Sequence, residues 1–259
     1  MFQRVIFFGG NGHCAARLAA VRANAPFPII DADYPGFANR PRACSRETFL
    51  DTVHTNIEPQ LGQSLIYGTG IGGLIALCLR ARGQLLETPL LLQAPVLWGL
   101  EHRLMPKVMR LGIARSLFAT LFRARWFQKH FFRKYFVTVP PPEFQREFFT
   151  GYASCAAAAD FFDWFTPNWL RQLEQAFAQH PERLRSIEFW WGERDRVVSL
   201  QELCWTEAAL GRSWPVQTFS EWGHYPMIEQ PEEWVRNLSD ACGLAAAERL
   251  PRCFGAEAE

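Results

Sequence analysis

No apolar run free of charge in the 259 residues reaches the roughly 18 needed to span a bilayer, so no transmembrane helix is expected. The first apolar run, Val5 to Phe8, is cut after four residues by Gly9, Gly10, Asn11 and Gly12. A secretory leader needs a stretch about twice as long, so no export signal is expected either. The seven cysteines (Cys14, Cys44, Cys78, Cys155, Cys204, Cys242 and Cys253) are odd in number and include no Cys-x-x-Cys pair. That argues against a disulfide framework or a zinc site and for reduced thiols in the cytoplasm. His13, His54, His102, His130 and His180 share no spacing suited to a metal; no metal and no cofactor are expected. A net charge of +1 gives no overall pull toward nucleic acid or lipid, so any such attraction must be local. Internal repeats and low-complexity tracts are also missing.

What is present is a folded chain, with 49% hydrophobic and 20% charged residues. Short apolar runs alternate with segments of helical spacing. "RVIFFGG" is a strand ending in glycines, and "CAARLAAVRAN" after it is a helix. "PFPIIDADYPGF", "SLIYG", "PLLLQAP", "SIEFWWGERD" and "PVQTFSEWGH" supply further strands, expected at about 28–31, 64–67, 89–93, 187–191 and 215–219, with the first at 4–8. "RETFLDTVHTNIEPQL", "GGLIALCLRARG", "SLQELCWTEAALG" and "QPEEWVRNLSDACG" supply helices. Continuous apolar strands alternating with helices predict an α/β fold, a mostly parallel sheet covered on both faces.

Three strand ends carry the informative residues. The first is the turn Gly68-Thr69-Gly70-Ile71-Gly72. The second is "WWGERDRVV", with Asp195 just past a strand. The third is "EWGHYPMIEQPEEW", with His224 between a strand and a helix. The order turn, acid, histidine resembles the α/β-hydrolase superfamily, as does Gly-x-Gly-x-Gly where that family writes Gly-x-Ser-x-Gly. "FFGGNG" resembles its oxyanion loop, with Phe8 where many members have His, and "DADYPGFANRP" resembles its Asp-x-Pro-Gly-Phe-Gly loop. "GHYPMIEQPEEW" is similar to the Gly-His-x-x-x-x-Glu-x-Pro-Glu signature of the esterase-like and C–C-hydrolase-like branch. The resemblance covers residues 4–95 and 187–242. It implies the α/β-hydrolase fold, a base at His224 oriented by Asp195, and oxyanion donors at the backbone of Gly10 and Ile71.

The departure from the family is Gly70, which stands where the resemblance places the attacking serine. Glycine has no Oγ, so no acyl-enzyme forms and ordinary serine hydrolysis is excluded. Thr69 is a poor substitute, because the turn projects only its central residue. Cys14 and His13 follow the presumed oxyanion loop and are candidate pocket residues; a buried helical thiol and a structural histidine are the blander readings. The remaining dyad leaves two readings open. In one, His224 and Asp195 catalyse proton transfer, lyase, cyclase or isomerase chemistry, or activate water, on a small apolar carbonyl compound. In the other, the pair is an inherited loop tie in a catalytically inactive pseudoenzyme, used as a binding module or as a subunit of a larger assembly.

The domain reading is a core of residues 1–95 and 187–245, a helical cap of 96–186 and a flexible tail of 246–259. Nineteen of the 37 aromatic residues fall in the cap segment. Residues 102–134 carry nine Lys or Arg and no acid, interleaved with Phe118, Phe122, Trp126, Phe127, Phe131 and Phe132. Three readings fit this amphipathic pattern: a lid over an apolar ligand, a protein-partner surface, or an anionic membrane surface with the protein held peripherally. No nucleic-acid module accompanies the charge. "ADFFDWFTPNWL" has aromatics on every face, which predicts burial.

Overall fold

The computed structural model describes residues 2–10, 16–37, 40–109, 111–140, 142–154, 157–241 and 243. Six parallel strands, β1 (Arg4–Phe8), β2 (Ile29–Asp31), β3 (Ser64–Thr69), β4 (Leu90–Gln93), β5 (Ile187–Gly192) and β6 (Val216–Phe219), form one sheet in the order β2-β1-β3-β4-β5-β6. The central strands are buried on both faces, which is why they read as unbroken apolar runs rather than alternating ones. Every strand begins and ends within two residues of its sequence expectation, and every pairing is parallel.

The chain leaves β1 toward β2 on one side and β3 toward β4 on the other. The ends of β1 and β3 therefore face a crevice at the switch point of the sheet, where open α/β sheets hold their ligands. On one face, α1 (Ala16–Asn24) packs against the one-turn helix α11 (Pro226–Glu229) and α12 (Pro231–Ala241). On the other lie α2 (Arg46–Ile57), α3 (Ile71–Ala81), α9 (Pro167–Gln179) and α10 (Gln201–Leu210). Ser45 caps α2 by accepting the Thr48 N–H at 3.1 Å, and Thr166 caps α9 ahead of Pro167, as first-turn donors require. Helix α3 is buried all round and threads the core directly behind β3. Its approach is set by Gly72: a Cβ there would lie 2.1 Å from the Phe8 carbonyl oxygen.

Between β4 and β5 the chain runs through α4 (Leu104–Met109), α5 (Gly112–Arg123), α6 (Arg125–Tyr135), α7 (Pro142–Ser154) and α8 (Ala157–Trp164) before α9. The basic stretch 102–134 is thus three short helices. Breaks fall at Leu111 and Ala124, both in extended conformation. Carboxylates tie this region to the sheet layers. Asp160 accepts from Arg42 at 2.5 Å, Glu202 accepts from Arg103 at 3.0 Å, and Glu229 accepts the Val137 and Thr138 N–H groups at 2.6 and 2.8 Å. Phe161, Phe165 and Trp169 of the second aromatic cluster are buried, with Phe161 packed on Phe37 and Phe49. The tail 246–259 lies outside the described residues.

Candidate active site

Gly70 sits between the last residue of β3 and the first of α3, with φ 54° and ψ −124°. Only glycine takes that backbone without strain; a side chain there costs about 1–3 kcal/mol. The turn is held from both sides: Gly70 N–H donates to the Gln93 carbonyl at 3.4 Å, and Val96 N–H donates to the Gly70 carbonyl at 2.9 Å. A Cβ on Gly70 would lie 3.6 Å from His224 Nε2 and 3.8 Å from Gly10 Cα. Ile71, the first residue of α3, has an N–H that no carbonyl of its own helix can accept.

His224 reaches this point from the loop after β6. The loops after β5 and β6 are laced together by Glu193 N–H to the Phe219 carbonyl (2.9 Å) and Arg194 N–H to the Trp222 carbonyl (3.0 Å). Trp191 Nε1 donates to the Val198 carbonyl at 2.9 Å, fixing the far side of the acid's loop. Asp195, its side chain fully buried, faces His224 Nδ1 with Oδ2 at 2.8 Å, while its Oδ1 accepts the Val197 and Val198 N–H groups at 2.7 and 3.0 Å. A carboxylate accepts, so in the neutral imidazole Nδ1 carries the hydrogen and Nε2 presents a lone pair. His224 itself is 5% exposed. The imidazole is thus held by the carboxylate on one side with its Nε2 turned toward the glycine.

Gly10, Gly70, Ile71, Asp195 and His224 are therefore brought to one end of the sheet. His13 and Cys14 lie outside the described residues. Thr69 points elsewhere: its hydroxyl donates to Gln93 Oε1 at 2.9 Å. The other described histidines lie away from the dyad. His54 is on α2 and half-buried, His102 packs at a tilt against Trp205, His130 is exposed on α6, and His180 pairs with Glu182 at 3.3 Å. Among the described residues no three His, Cys, Asp or Glu side chains gather as metal ligands.

Sequence reasoning missed four residues. Gln93, fully buried, bridges the two halves of the site, receiving Thr69 and donating Nε2 to the His224 carbonyl at 3.4 Å. Its signal was a polar residue closing the otherwise apolar "PLLLQAP". Arg17, 1% exposed, lies over the rings of Phe148 and Tyr225 at 4.9 and 5.4 Å and would be 3.4 Å from a Cβ on Gly10. It appears in the sequence as a cation in the small apolar helix α1. Tyr225 sets its ring at right angles to His224 and stacks on Phe136 at 4.7 Å; burial pushes its phenol up to about 12. Glu229, beside Gly223, is pushed above the usual carboxylate range by burial, against its backbone hydrogen bonds and the neighbouring His224.

Comparison with known proteins agrees with this architecture. No curated protein matches the chain in sequence. Among solved structures, a putative aryl esterase from Burkholderia cenocepacia superposes with a TM-score of 0.70 at 16% identity, covering 94% of this chain and 90% of its own. A haloalkane dehalogenase from Bradyrhizobium elkani gives 0.70 at 15% identity, covering 93% and 90%. A membrane phospholipase A, described as a bacterial virulence factor, gives 0.65 at 21% identity, covering 95% and 80%. At such identities these likenesses establish the fold. The model of the alpha/beta hydrolase family matches residues 5–237, nearly the whole chain, and the protein belongs to that family.

Proposed function

We propose that Gly70 occupies the nucleophile position of the family and that the protein works without a covalent intermediate, with His224 as general base and Asp195 as its orienting partner. The observation that carries this reading is the 3.6 Å between His224 Nε2 and the point where a Gly70 Cβ would stand. Among the described residues, the atoms nearest that point belong to His224 and Gly10, and none belongs to the helical segment 96–186. A base with its second nitrogen locked by a buried carboxylate thus faces the position where a nucleophile side chain would begin. The esterase, phospholipase and dehalogenase functions named for the structural neighbours act on substrates this site would have to treat differently, since Gly70 offers no side-chain atom to attack them.

The substrate class is a small apolar carbonyl compound. The segment 96–186 acts as the cap, and Phe136, Phe148 and Tyr225 supply an aromatic wall beside the base. In the proton-transfer route, Nε2 takes a proton from the carbon next to the carbonyl. The electron pair moves onto the carbonyl oxygen, which the N–H groups of Gly10 and Ile71 stabilise as oxyanion donors. The imidazolium, stabilised by Asp195, then returns the proton to the same or another atom of the substrate. The same base can instead deprotonate a water molecule against the carbonyl carbon.

The test is hydrogen–deuterium exchange at the carbon beside the carbonyl of simple ketones such as cyclohexanone and acetophenone, followed by proton NMR in heavy water. Exchange above the buffer rate is expected, and His224→Ala should lower it by about 10²–10⁴-fold, the usual worth of a positioned general base. Exchange indifferent to His224→Ala would remove the enzymatic reading. It would favour a binding module, consistent with Phe136 stacked on Tyr225 next to the dyad.

A further inference from the structure

The cap helices have two faces, and the outer one is unlike the rest of the surface. Helix α6 turns Phe131 and Phe132 inward, where they join Phe136 and Phe148. Its opposite face exposes Arg125, Lys129, His130, Arg133 and Lys134 together with Trp126, which is 66% exposed. Helix α5 packs on α6 and on α4, yet its own apolar ridge points outward: Ile113 is 87% and Leu117 is 59% exposed, with Leu111 before it at 64%. Lys107 and Val108 on α4 continue the same mixture. From His102 to Pro140 the chain contains no acid.

We infer that the outer face of α4, α5 and α6 docks on an anionic lipid bilayer. An aliphatic ridge and an exposed tryptophan beside rows of Lys and Arg is the arrangement that lies in a bilayer interface, apolar groups in the acyl boundary and cations at the headgroups. Lys is depleted from protein–protein interface cores, whereas long basic stems beside apolar tips suit a headgroup layer. The charge is complementary to anionic headgroups over the whole stretch, although the chain's net charge is only +1. Among the described residues no helix is long and apolar enough to cross a membrane, so the contact is peripheral. The inference stands apart from the chemistry proposed for His224.

The experiment is co-sedimentation of the full chain with vesicles of neutral phosphatidylcholine and of phosphatidylcholine mixed with phosphatidylglycerol. Binding to the anionic vesicles alone is expected, weakening as salt is added. Each basic residue near such a surface contributes about fivefold. Lys129→Glu with Arg133→Glu should therefore lower partitioning by about 25-fold or more. Ile113→Ser with Leu117→Ser should abolish it, and circular dichroism should stay unchanged in both variants because all four side chains are exposed. Equal partitioning of either folded variant and the unaltered chain would overturn the inference, and so would absence of wild-type binding. Concentration-dependent self-association abolished by Ile113→Ser with Leu117→Ser, without vesicle binding, would assign the face to a second copy of the chain instead.

Discussion

Glu229 shows how one carboxylate can link the His224 loop to the helical segment between β4 and β5. It sits five residues after His224, accepts two backbone N–H groups at the start of the chain leaving α6, and lies against Gly223. Burial raises its pKa above the ordinary 4.5, so the folded protein holds this proton to higher pH than the unfolded chain does. Its contribution to stability is therefore complete below the unfolded pKa and is lost as pH rises through the raised folded value. Glu229→Gln removes the titration. The stability difference between the unaltered protein and Glu229→Gln, from denaturant melts at a series of pH values, should shift in favour of the variant as pH climbs from 4.5. Glu202, raised in the same direction by burial, is common to both proteins and cancels. A difference that stays constant with pH would contradict this account of Glu229.

At the scale of elements, the decisive contact is α3 against the end of β1. The Phe8 carbonyl stands where a side chain on Gly72 would begin, so the start of α3 and the end of β1 keep their spacing only with glycine there. Gly72→Ala should destabilise the fold by about 2–4 kcal/mol through this backbone clash, measured by urea unfolding; a change under about 0.5 kcal/mol, as at an ordinary surface position, would contradict the packing described. Strand limits were legible in the sequence because fully buried parallel strands are continuous apolar runs bounded by Gly and Pro. The meeting of Gly70, Asp195 and His224 was legible because each lies in a loop that follows a strand. Gln93 and Arg17 were not, since their roles depend on partners distant along the chain: Gln93 meets His224 131 residues later. Nor could periodicity show which way the faces of 102–134 point. Helices α5 and α6 share one period, yet α5 turns Ile113 and Leu117 outward while α6 turns Phe131 and Phe132 in and leaves Trp126 exposed.

At the scale of the whole molecule, the sheet order brings the ends of β1 and β3 together at the switch point, and β5 and β6 carry Asp195 and His224 to the same edge. Arg42–Asp160, Arg103–Glu202 and Glu229 tie the helical segment to the layers around that edge. On the proposed reading, this assembly is complete except for a nucleophile at Gly70. The most direct measurement is intact-protein mass spectrometry after treatment with a fluorophosphonate, on the unaltered chain and on Gly70→Ser. The account predicts no adduct on the unaltered chain. It predicts a single adduct on the folded variant, at the introduced serine, where the His224 base and the N–H groups of Gly10 and Ile71 await it. A stoichiometric adduct on a serine of the unaltered chain, or a folded variant that stays unlabelled, would contradict it.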